Sequence, residues 1–297
     1  MTSADHATFA ARFPGRADRW VLRRTTLELP ARPLVMGIVN VTPDSFSDGA
    51  QFFDSSAAVD HALRLRDEGA DILDIGGEST RPYAEPVEVA EELRRVIPVI
   101  EAVCGRSRVP VSIDTSKAVV AREALAAGAE IINDVTALVG DPLMTQVASE
   151  SQTGVCAMHM QGTPRTMQDD PRYDDVVGEI LSYLQACRER LVASGLHAER
   201  IALDAGIGFG KTHAHNLTLL ARMHCFHKLQ SPLVVGHSRK GFIGKVLGNA
   251  DADRMAGTIG VALSLARQGV QVIRVHDVAP VRQALQLFEA TGGLDVL

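Results

Sequence analysis

The stretch "DAGIGFGKTH", residues 204–213, decides between two ways of building an α/β protein. Its glycines, followed by Lys211 and Thr212, read at first as the phosphate cradle of an open nucleotide-binding sheet. A P-loop needs a further glycine where Ala205 stands, and a dinucleotide fingerprint needs one where Lys211 stands. Both motifs fail by one residue, so the glycines require another explanation.

Outward from this stretch, short apolar runs rich in β-formers alternate with longer segments of helical spacing, the pattern of a parallel sheet. The runs are "LVMGIVNV" (34–41), "ADILDIGG" (70–77), "VPVSID" (109–114), "EIINDV" (130–135), "GVCAMHM" (154–160), "IALDA" (201–205), "PLVVGHS" (232–238) and "QVIRVH" (271–276). Between them, 56–68 carries Ala58, Ala62 and Leu65 on one stripe, and 174–194 carries Val177, Ile180, Leu184 and Leu191. Eight such units predict an α/β fold of the closed (β/α)8 TIM-barrel type over 34–297, preceded by a polar extension over 1–33. A doubly wound open sheet is the rival, but no glycine-rich dinucleotide turn follows the first strand.

Composition agrees. The 297 residues are 46% hydrophobic and 22% charged, enough for a large core. No stretch has the length of a membrane span or a signal peptide, and the net charge of -6, without a basic stripe, argues against nucleic acid. Cys104, Cys156, Cys187 and Cys225 are too scattered for a zinc site and read as reduced thiols of a cytoplasmic protein.

Polar residues gather where each apolar run ends, and in a barrel those ends form the rim that carries chemistry. Asp114, Asn133 and Asp204 come from three strands and suit a flat heterocycle with N–H donors; two carboxylates are also compatible with acid–base work. Arg81, Lys240, Arg274 and His276 form a cationic set suited to an anion, whereas Arg239 reads as a solvated neighbour. The loops "NVTPDSFSDGA" (40–50) and "GGESTRPYAEP" (76–86) have the composition of lids, and the Asn40 amide oxygen is a hard ligand fit for Mg²⁺. His159 reads as a buried, hydrogen-bonded histidine ahead of a catalytic one.

The ordered motifs "GIVNVTPDSFSDG", "DIGGESTRP", "SIDTSK", "IINDV", "MHMQG", "GIGFGK", "SRKGFIG" and "RVHDV" strongly resemble the dihydropteroate synthase family of pterin-binding enzymes. The resemblance implies a homodimeric barrel of the folate pathway. Its reaction joins 4-aminobenzoate to (7,8-dihydropterin-6-yl)methyl diphosphate. It further implies that Asp114, Asn133, Asp204 and Lys240 hold the pterin with Met158 nearby. Asn40 (through Mg²⁺), Arg274 and His276 would hold the diphosphate; Thr80, Arg81, Pro82, Phe209 and Ser238 would shape the aminobenzoate side, which is also the family's sulfonamide site. Catalytic weight falls on Asp114, Arg81, Lys240, Arg274 and His276. The glycines of 204–213 then serve close backbone passage, and Lys211 is the residue expected to matter least. Ala205, Tyr83 and His237 depart from the family pattern, where proline, glycine and an apolar residue are usual. The rival readings are a pterin-dependent methyltransferase, which would not need the first loop together with "SRK" and "RVH", and a non-catalytic pterin-binding paralogue.

Overall fold

The computed structural model describes residues 9, 11–42, 55–81 and 83–295. A short antiparallel hairpin, β1 (Arg19–Val21) and β2 (Thr26–Glu28), precedes the barrel. The barrel strands are β3 (Leu34–Asn40), β4 (Ile72–Gly76), β5 (Val111–Asp114), β6 (Ile131–Asp134), β7 (Gly154–Met158), β8 (Ile201–Asp204), β9 (Val234–Gly236) and β10 (Val272–Val275). They pair in parallel in the order β8-β7-β6-β5-β4-β3-β10-β9, and a parallel bridge from Leu203 to Leu233 closes the ring. All eight predicted strands are present, shortened at their ends because the flanking residues turn out of the ladder. The helices α1 (Ser55–Asp67), α2 (Val89–Arg106), α3 (Ala118–Ala127), α4 (Met144–Ser151), α5 (Val176–Ala193), α6 (His213–Ala221), α7 (Gly241–Leu247), α8 (Met255–Arg267) and α9 (Val278–Ala290) accompany them.

Strand alternation sorts the side chains. Outward residues such as Leu73, Ile75, Ile113, Ile132 and Val155 pack against buried helix residues such as Val96, Val99, Ile100 and Leu184, in the larger core. Inward residues build the barrel interior in two storeys. Met36, Ile72, Ile131, Cys156, Ala202, Val234 and Val272 form an apolar lower storey. Two positions further along the same strands, on the same face, stand Ile38, Asp74, Asn133, Met158, Asp204, Gly236 and Arg274. One register thus places the polar residues directly above a dry base.

The base is closed by the N-terminal arm, and this corrects the expectation of a merely polar approach to the first strand. Trp20 and Leu22 from the hairpin, with Leu29, pack on the lower storey, and Trp20 is fully buried. The Trp20 indole N–H donates to the Arg200 carbonyl at 2.9 Å. A side chain at Gly154 would come within 2.7 Å of Leu22, so the strand makes room for the plug. Arginines of the arm grip backbone carbonyls: Arg16 reaches those of Gly269 (2.8 Å) and Pro30 (2.6 Å), and Arg23 reaches that of Leu125 (2.6 Å). Length and intermittent polarity hid the arm's apolar anchors.

Candidate active site

The strand C-termini surround a cavity of about 970 Å³. It brings together Asn40, Thr80, Arg81, Asp114, Phe209, Ser238, Lys240, Arg274 and His276, most of the residues singled out from sequence. Asn133, Met158 and Asp204 are buried at the ends of β6, β7 and β8 rather than lining that cavity. Pro82 and most of the first rim loop (43–50) lie outside the described residues.

A residue that the sequence reading passed over sits at the centre. Asp74 is fully buried in β4 and its Oδ2 accepts two hydrogen bonds, from Arg274 Nε at 2.6 Å and from Asn133 Nδ2 at 3.0 Å. Arg274 Nη2 donates to Asp114 Oδ2 at 2.7 Å, so one guanidinium spans two carboxylates from neighbouring strands. Asp74 Oδ1 finds no hydrogen-bond partner among the described residues. The arrangement orients two groups at once: it aims the Arg274 fork and, by claiming the Asn133 amide nitrogen, turns the Asn133 oxygen towards other donors. Asp134, next in sequence, points away and ties its own turn through Thr136 N (2.7 Å), Thr136 Oγ1 (2.8 Å) and Leu138 N (3.2 Å).

Electrostatics follow from burial. Desolvation pushes the Asp114 carboxyl well above the usual range, aided by Asp74, Asp134 and Glu92 and opposed by Arg274. Burial works against the Arg274 charge, but Asp74 and Asp114 outweigh it and hold the guanidinium protonated. The Asp204 carboxyl is also raised by burial, against the N–H of Gly206 and the charges of Lys240 and Lys211. Burial lowers Lys240 to about 8, and its ammonium donates to the Ile207 carbonyl and lies 4.8 Å from the Phe209 ring centroid. His276 is lowered to about 4 by burial and then by Arg274, so it is neutral at pH 7. Ser238 Oγ accepts from the His276 backbone N–H (3.3 Å) and lies 3.1 Å from Nδ1. With the hydroxyl proton assigned to Nδ1, Nε2–H is left as the ring's donor.

The loop that opened the question now has its explanation. Gly206, Gly208 and Gly210 all have positive φ, at 69°, 86° and 62°. A Cβ on Gly206 would lie 1.9 Å from the His159 carbonyl oxygen, and one on Gly210 2.5 Å from that of Gln161. The glycines therefore let the β8 loop slide under the β7 loop. Thr212 does not meet a phosphate either; it caps α6, its hydroxyl accepting from His215 N at 3.2 Å.

Lys211, the residue expected to matter least, has a well-defined place beside the cavity. It is buried, lines the cavity and donates to the Phe209 carbonyl at 2.8 Å, with its Nζ 3.0 Å from His159 Nδ1. Burial lowers it to about 7. His159 is the buried, bonded histidine expected, lowered to about 3 by burial and by Lys211. Arg239, read as a solvated neighbour, is largely exposed and pairs with Asp277, with Nε donating at 2.8 Å. His237 is fully buried, its Nε2 2.9 Å from the Thr258 carbonyl, which explains how a polar ring occupies an apolar place. Tyr83 takes φ of 64° and reaches across the rim, its N–H donating to the Pro164 carbonyl at 3.2 Å.

Residues 36–276 match the family model described as pterin binding enzyme. The chain belongs to the pterin binding enzyme family. Among the relatives of this pterin binding enzyme is the dihydropteroate synthase of Escherichia coli (strain K12), 48% identical over 267 residues, covering 90% of this chain and 94% of that protein. The Xanthomonas albilineans dihydropteroate synthase solved with 4-aminobenzoic acid has a TM-score of 0.86 at 44% identity, covering 95% of this chain and all (100%) of that one. The same organism's enzyme in complex with 7,8-dihydropteroate has a TM-score of 0.83 at 42% identity, covering 94% of this chain and 100% of that one.

Among the described residues of this family member, no group of three or more His, Cys, Asp or Glu side chains is placed to hold a metal ion. No described helix is long and apolar enough to cross a membrane.

Proposed function

We propose that the chain catalyses the dihydropteroate synthase reaction, in which 4-aminobenzoate displaces diphosphate from (7,8-dihydropterin-6-yl)methyl diphosphate to give 7,8-dihydropteroate. The observation that carries this reading is the polar set above the apolar base: Asp114, Asn133 and Asp204 as acceptors beside Lys240 and Arg274 as donors. A reduced pterin presents ring N–H and amino donors along one edge and acceptors along the other, which such a set matches.

In this reading Asp114, Asn133, Asp204 and Lys240 hold the pterin, with Met158 against its face. Binding exchanges internal contacts for ligand contacts: Lys240 releases the Ile207 carbonyl, and Asp114 gives up part of its pairing with Arg274. Arg274 and the neutral His276 receive the departing diphosphate, Arg274 as a charged fork and His276 through an N–H. Asp114, kept near the methylene-bearing ring, offsets the positive charge that grows as the C–O bond breaks. The weakly basic amine then attacks, held by Thr80, Arg81, Pro82, Phe209 and Ser238, the set that would also receive a sulfonamide, and its surplus proton leaves to solvent.

Mg²⁺ fits the donor set modestly: Asn40 offers one hard amide oxygen on the cavity wall that also carries Arg274 and His276. With no acidic triad beside it among the described residues, the ion would rely on diphosphate and water for its other ligands. When bound it would neutralise charge on the leaving group. The same reading makes the chain a cytoplasmic homodimer whose partners are these small molecules.

The test is incubation of the purified protein with the pterin diphosphate, 4-aminobenzoate and Mg²⁺. Diphosphate release that requires the amine is expected; none would sink the proposal. A pH profile refines it. Asp114 must be ionised to accept and Lys240 protonated to donate, so kcat/KM for the pterin substrate should rise with pH through a limb above the usual carboxylate range. It should fall again near 8, where Lys240 loses its proton. In Asp114→Asn the acid limb should disappear; its persistence would reassign it.

A further inference from the structure

One charged cluster beside the cavity is not used by the mechanism above. Glu92, on the barrel-facing side of α2, is fully buried, and its Oε1 has no hydrogen-bond partner among the described residues. A lone carboxylate there would be strongly unfavourable, and what offsets it is Lys117, whose ammonium donates to Glu92 Oε2 at 2.5 Å. The same ammonium donates to Glu78, at the start of the rim loop that continues through Ser79, Thr80 and Arg81 along the cavity. Lys117 itself follows Asp114 in the turn after β5, its backbone N–H donating to Thr115 Oγ1 at 3.2 Å.

The root of that loop is held at a second point. Arg95 of α2 donates to the Gly77 carbonyl at 2.8 Å, and a Cβ on Gly77 would meet Val96 at 2.8 Å. Backbone and side chain of the two residues preceding Ser79 are therefore both fastened to α2. The backbone fastening is direct, whereas the side-chain one passes through Lys117 and joins the loop to the turn that follows Asp114.

We propose that Lys117, bridging Glu78 and Glu92, is a positioning residue that sets the loop bearing Thr80 and Arg81 and so tunes affinity for the arylamine substrate rather than for the pterin. The proposal rests on the dihydropteroate synthase reading. It deepens that reading by assigning specificity to three residues that touch neither reacting atom.

Glu78→Gln cuts the loop arm while leaving the buried Glu92–Lys117 pair intact. Its KM for 4-aminobenzoate is expected to rise about tenfold, with KM for the pterin diphosphate changed by less than about twofold. Lys117→Arg, which can still reach both carboxylates, should stay within about threefold of wild type for both substrates. Lys117→Met strands Glu92 and is expected to lose stability; if it fails to fold, Glu78→Gln carries the test. A merely structural cluster would lower the melting temperature of Glu78→Gln without separating the two KM values, and that outcome overturns the proposal. Absence of amine-dependent diphosphate release from wild type would overturn the reading beneath it as well, whereas normal wild-type turnover with no KM split overturns the positioning role alone.

Discussion

Arg274→Ala is expected to lower kcat/KM for the pterin diphosphate by about 10³-fold, the scale seen when a preorganised donor to a developing anion is removed. Two effects add. The leaving group loses its charged fork, and Asp74 and Asp114, now without the cation between them, repel each other. Asp114, already pushed up by burial, would then stay protonated to still higher pH and cease to be an acceptor. Arg274→Lys should recover part of the rate, because a point charge can serve one carboxylate at a time but cannot span both. Steady-state kinetics with diphosphate detection checks both variants; near-native turnover in Arg274→Ala would remove the residue from the mechanism.

Trp20→Ala is expected to cost about 3–5 kcal/mol of folding stability, as emptying a large, fully buried aromatic site does. The indole fills the lower mouth and satisfies the Arg200 carbonyl, so both a cavity and an unpaired acceptor would remain. Because the catalytic storey stands one layer higher, kcat of the folded fraction should change little. Urea denaturation with parallel activity measurements would show it. A loss of only about a few tenths of a kcal/mol in unfolding free energy would mean that the hairpin is an ornament of the barrel rather than its plug.

How far the sequence announces this molecule depends on which physical signal a residue carries. The barrel strands are legible because β-rich apolar runs punctuated by helical spacing have few other solutions. The rim residues are legible because a polar group ending such a run has little else to do. Asp74 lies inside a strand rather than at its end, yet a carboxylate inside "ILDIG" is itself a signal. Ile72 belongs to the lower storey, and two positions on is where Asn133 stands above Ile131 and Arg274 above Val272. The burial of Lys211 arises from the long-range approach of the β7 and β8 loops, which no local pattern encodes. The arm before β3 is hard to read for a related reason, since Arg12, Arg16, Arg23 and Arg24 bind carbonyls distant in sequence.

The plug at the base also has a kinetic meaning. Among the described residues the base is closed and the cavity opens at the rim, so cargo stowed deepest is loaded first. Asn133 and Asp204 are buried at the strand ends, whereas Thr80, Arg81 and Ser238 border the open cavity. The heterocycle is thus expected to enter before the arylamine, and the joined product to back out through the same doorway. Product-inhibition patterns should accordingly be those of an ordered queue, and the arylamine should bind measurably better once the first occupant is in place.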